Sequence, residues 1–92
     1  MKKTNQFSLI DGGFTPDQAK DLLTELYTSK IKYHSVRALR HEEKFAEKST
    51  FHAERVNELK LERDRIIGFL HTINPNERLN IESIIKVSTI ES

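Results

Sequence analysis

The chain has 92 residues, enough for one domain spanning 1–92, and its 36% hydrophobic and 32% charged content describes a folded chain with a modest core. The absence of cysteine excludes disulfides, thiolate catalysis and sulfur-ligated zinc. The net charge of +1 supplies no whole-molecule field for nucleic acid or membrane, and no stretch approaches the ~20 apolar residues that span a bilayer.

Met1-Lys2-Lys3 opens like a signal peptide, but Thr4, Asn5 and Gln6 follow where an apolar segment would be needed. The expected location is therefore the cytoplasm. Residues 5–10 alternate loosely around Phe7, Leu9 and Ile10 and predict a short strand. Asp11-Gly12-Gly13 then predicts a turn, with glycine available for positive φ. Thr15 is an N-cap residue, Pro16 occupies the first helical position, and Gln18 completes a capping box. Asp17 complements the positive end of the helix dipole.

Between Pro16 and Pro75 there is no proline and one glycine, Gly68. A first stripe runs Leu23, Tyr27, Ile31, His34, Ala38, His41 and Phe45, at helical spacing. A second runs His52, Val56, Leu59, Arg63, Ile66, Leu70 and Ile73 in steps of four and three, a heptad seam. Helices over about 16–47 and 50–73 follow, with a tight turn at Lys48-Ser49-Thr50 and Ser49 or Thr50 as the second cap. Pro75 stops the second helix. An antiparallel hairpin closed at this turn sets Phe45 against His52, His41 against Val56 and Ala38 against Leu59. It also sets Ile31 against Ile66, Tyr27 against Leu70, and His34 against Arg63. The alternative is one continuous helix dimerised as a coiled coil, because the two stripes stay in phase through the turn.

The last segment is rich in β-branched residues. Leu79, Ile81, Ile85 and Val87 alternate with Asn80, Glu82, Ile84 and Lys86, predicting a strand over about 80–90. The two terminal strands meet at the open end of the hairpin and can pair antiparallel. The fold class expected is α+β, mainly α: a long helical hairpin flanked by an N-terminal and a C-terminal strand. A two-stranded sheet is barely stable alone, so it needs the hairpin beneath it or a second copy at its edge.

No nucleophile elbow or phosphate loop is present, the carboxylates are scattered, and no enzymatic activity is expected. No catalytic residue, metal ligand or cofactor is predicted. His34 and His41 lie two turns apart, about 10.5 Å along the axis, too far to share an ion easily. They are read with Arg63 as polar seam positions, the His34–Arg63 pair specifying register. Leu22, Leu26 and Tyr33 form a second edge on the first helix that calls for a neighbour, either the terminal sheet or another chain. With Ile84 and Ile90 they are the candidate interaction residues. Lys30, Arg37, Arg40 and Lys44 form a basic stripe that could meet nucleic-acid phosphates. It is alternatively a solvated face balanced by Glu54, Glu58 and Glu62 on the next helix.

The runs Asp11-Gly12-Gly13-Phe14-Thr15-Pro16 and Ser29-Lys30-Ile31-Lys32-Tyr33-His34 resemble those of a family of small uncharacterised bacterial proteins, with a weaker echo at Glu58-Leu59-Lys60. The resemblance covers roughly the first third of the chain. It implies a bacterial housekeeping or mobile-element protein and carries no site residue. The function expected is a protein–protein interaction or scaffold module that self-associates, as a homodimer or with another protein, with nucleic-acid binding through the basic stripe as the alternative. No membrane partner is expected.

Overall fold

The computed structural model describes residues 2–47 and 50–90. In chain order it forms strand β1 (Thr4–Phe14), helix α1 (Pro16–Phe45), helix α2 (Thr50–His71) and strand β2 (Leu79–Ser88). The two helices pack as a hairpin and the two strands pair antiparallel as a ribbon, so the continuous coiled-coil helix is not formed. Of the expected turn Lys48-Ser49-Thr50, the first two residues, and so the Ser49 cap, lie outside the described residues, while Thr50 is the first residue of α2.

Local chemistry explains the element ends. Gln18 donates its backbone N–H to the Thr15 hydroxyl, and the Gln18 side chain accepts from the Thr15 backbone N–H, completing the capping box. Ala46 ends α1 in the left-handed region, at φ 55°, and donates its N–H to the Glu42 carbonyl. After α2, the Asn74 side chain accepts from Asn76 N–H while its carbonyl accepts from Glu77 N–H, reversing the chain into β2.

The expected glycine turn at residues 11–13 is absent. β1 runs straight through it, because Asp11, Gly12, Gly13 and Phe14 each have a partner on β2, and no described glycine has positive φ. A paired strand satisfies these backbone groups as well as a turn would. Gly13 leaves room for the Arg78 guanidinium, which a Cβ there would meet at 3.0 Å.

Both predicted stripes face inward, with His34, Leu59 and Leu70 buried and most of the rest half-buried. Their register differs from the expected one. His34 Nδ1 lies 2.8 Å from His52 Nδ1, while Arg63 sits beside Asp64 at 3.6 Å. The His34–Arg63 pair is not formed. Tyr27 shares a surface depression with Leu59 and Glu62, where burial and then the Glu62 carboxylate raise its phenol above the ordinary value of 10, with Arg55 opposing. α2 is thus displaced by 11 residues, since His52 occupies the place expected of Arg63. Eleven residues make three helical turns, so the same faces meet in either register.

In consequence α1 continues about 16 Å beyond His34 at 1.5 Å per residue, whereas only Thr50 and Phe51 precede His52 in α2. Phe45, expected in the seam, is exposed on this overhang. His41, expected against Val56, instead reaches Glu47 at 3.7 Å and packs on the Phe45 ring.

The molecule is flat and open, 51 × 36 × 14 Å, with a radius of gyration of 16.8 Å, against about 12 Å for a compact domain of this length. Ile10, Ala19, Leu59 and Leu70 are its buried hydrophobic residues, and no large side chain is fully enclosed among the described residues. No described helix is long and apolar enough to cross a membrane.

Candidate interaction surface

The ribbon has one apolar face, and a bulge creates it. Ser8 pairs with Ile84 and Ile10 with Ser83, so Leu9 is an extra residue in β1. Side chains alternate along a strand, so without the bulge Phe7 and Ile10 would point to opposite faces. The extra residue turns Phe7 onto the face that carries Ile10, Gly12 and Phe14. Across from them lie Leu79, Ile81, Ser83, Ile85 and Val87, all on one face of β2. The half near the hairpin is half-buried or buried, down to Ile10. The far half stays exposed: Phe7 is 53% exposed, Ile85 43% and Val87 57%.

Between ribbon and hairpin lies an apolar groove of about 630 Å³. Its helical wall includes Leu26, Lys30, Ile66 and Phe69, and its other wall includes the unbroken run Leu79 to Ser83. Leu9 and Ile10 of β1 border it as well, so the groove runs beneath both strands on the side that faces the hairpin, and the outer edge of β2 lies beside it. An edge offers a row of backbone donors and acceptors to another strand.

The candidate interaction residues are divided by the fold. Leu26 lines the groove between ribbon and hairpin, and Leu22 is half-buried. Tyr33 is 48% exposed farther along α1. Ile84, at 64%, lies on the opposite face of β2 from Ile85, and Ile90 beyond the strand is 95% exposed. Phe7 and Leu9 are exposed apolar residues outside the expected interaction set, because the bulge between Ser8 and Ile10 has no sequence signature.

Lys30, Arg37, Arg40 and Lys44 are exposed along one flank of α1. The Lys30 ammonium and the Arg37 guanidinium sit 4.9 and 5.1 Å from the Tyr33 ring centroid, within cation–π range. The acids expected to balance this flank are used differently: Glu58 pairs with Arg55 and Glu62 with Arg65, both within α2. Among the described residues none of the four cations is ion-paired.

The histidine contact joins a buried ring, His34, to a half-buried one, His52. The Nδ1–Nδ1 bond requires one ring to donate and the other to accept. Burial first, then the positive charges of Lys30, His52 and Arg55, hold His34 below its ordinary imidazole value. The described residues contain no group of three or more His, Cys, Asp or Glu placed to hold a metal ion.

Comparison of the chain with protein-family models, with curated proteins and with solved structures finds no match, so geometry alone carries the functional reading.

Proposed function

We propose that this protein is a self-associating interaction module whose working form is a homodimer. The observation that carries the reading is surface area. The chain exposes 7512 Å², whereas a compact monomer of 10.7 kDa exposes about 5,500 Å². The excess of roughly 2,000 Å² per chain matches the large, apolar interfaces of obligate dimers. Exposed apolar residues of the ribbon, Phe7, Leu9, Ile84, Ile85 and Val87, contribute to it. A small chain that cannot enclose a core by itself completes one by pairing.

Light scattering coupled to size-exclusion chromatography tests this. The expected mass at micromolar concentration is twice 10.7 kDa. A mass of one chain would sink the reading.

A second reading, contact with a nucleic-acid backbone, is favoured by one observation: the unpaired basic flank Lys30, Arg37, Arg40 and Lys44 with Tyr33 held between two of its cations. Binding to a labelled duplex should then weaken steeply with salt. Lys30→Ala/Arg37→Ala should lower both the affinity and the salt slope. Binding at the level of a control protein, with no salt slope, would dispose of it.

A further inference from the structure

We propose that β2 pairs antiparallel with β2 of a second copy, centred on Ile84, to give a four-stranded sheet ordered β1-β2-β2-β1. This rests on the self-association reading and names the surface and register through which it occurs.

The ribbon has two free edges, and they are not equivalent. β1 carries the bulge at Leu9, which interrupts its ladder and twists it, a feature that blunts an edge. β2 runs Leu79–Ser88 without bulge or proline. β2 also borders the apolar groove, so a second copy added at its edge stands next to the groove that Leu26, Ile66 and Phe69 line. Backbone bonds of this kind give affinity without needing a preformed pocket. A second copy is the occupant that the uncovered area requires, because each chain then covers exposed apolar surface of the other.

Charge selects the register. Within the ribbon Asp11 lies directly opposite Glu82, an unfavourable like-charge pair. Neither carboxylate has a cation partner among the described residues. Centring the pairing on Ile84 brings the partner's Lys86 opposite Glu82, and by symmetry Lys86 opposite the partner's Glu82. Ile81 then faces the partner's Val87 and Ser83 faces the partner's Ile85 on the apolar side. Ile84 meets its own counterpart, covering the exposed hydrophobic residue of the outer face. Centres at Glu82 or Lys86 would oppose like charges. Centres at Ser83 or Ile85 would set one of these charges against isoleucine.

The chain lacks cysteine, so single cysteines report the geometry cleanly. Ile84→Cys, at an exposed position, should form a disulfide-linked dimer in air without change of light-scattering mass. Ser88→Cys should not, since its two copies would stand about 26 Å apart along the strands, well outside disulfide reach. Ser8→Cys, on β1 opposite Ile84, reports pairing through the other edge. Lys86→Glu should weaken dimerisation about tenfold through the two symmetric pairs, and adding Glu82→Lys should restore it. A dimeric mass with cross-linking at Ser8→Cys but none at Ile84→Cys would overturn the β2 pairing and leave self-association standing. A single-chain mass would overturn both.

Discussion

His34 and His52, eighteen residues apart, meet through their Nδ1 atoms at 2.8 Å, and this contact sets the register of the helical hairpin. It closes the seam where α2 begins and is bordered by the Tyr33 and Phe51 rings. A neutral pair shares one proton between the two Nδ1 atoms, and only when both rings are imidazolium do two donors stand face to face.

Acid should destabilise this junction, because burial and the nearby positive charges disfavour the charged form of His34. The folded value of His34 lies below its unfolded value of about 6.5, so the unfolded chain takes up the proton first. Stability is complete above pH 6.5 and is lost as pH falls from there through the folded value. Circular dichroism melts between pH 8 and pH 5 should show a falling Tm. His34→Leu should flatten that dependence, and an unchanged slope in the variant would place the titration elsewhere.

Coupling energies should separate the two registers. A double-mutant cycle between His34 and His52 should give a coupling of about 0.5 kcal/mol or more, as residues in contact do. A cycle between His34 and Arg63 should give none. Arg63→Leu should leave Tm and secondary structure nearly unchanged, because Arg63 has only its neighbour Asp64 as an ionic partner. A strong Arg63 coupling measured by urea unfolding would restore the alternative register.

The helix ends give two opposed stability changes. Thr15→Ala removes the hydroxyl that accepts from Gln18 N–H and should cost about 1 kcal/mol. Ala46→Gly relieves a left-handed residue carrying a Cβ and should stabilise by roughly 0.5–1 kcal/mol. Chemical denaturation of both variants checks the signs.

Self-association should couple to folding. Tm should rise with protein concentration, because dimer formation stabilises only the folded chain. Leu70→Ala, at a buried seam position, should cost about 2–5 kcal/mol and lower Tm at every concentration. A Tm independent of concentration over two decades would count against an obligate dimer.

Much of the architecture was legible in the residues. Thr15, Pro16 and Gln18 marked the start of α1 with a complete capping box, because capping depends on groups within one helical turn. The alternation from Leu79 to Val87 marked β2, and the two stripes marked which helix faces turn inward, because apolar periodicity follows from backbone geometry alone. The register of those faces was decided only in three dimensions. A repeating seam matches itself after three turns, and the choice between matches rests on contacts such as His34 with His52 and Tyr27 with Leu59. The same holds for Asp11-Gly12-Gly13, whose turn chemistry yielded to a partner strand 66 or more residues away. It holds again for the bulge at Leu9, which needs β2 opposite to exist at all. Local sequence settles what each segment can be, whereas pairing between distant segments settles which of the equivalent alignments is adopted, and so which apolar surface is left exposed.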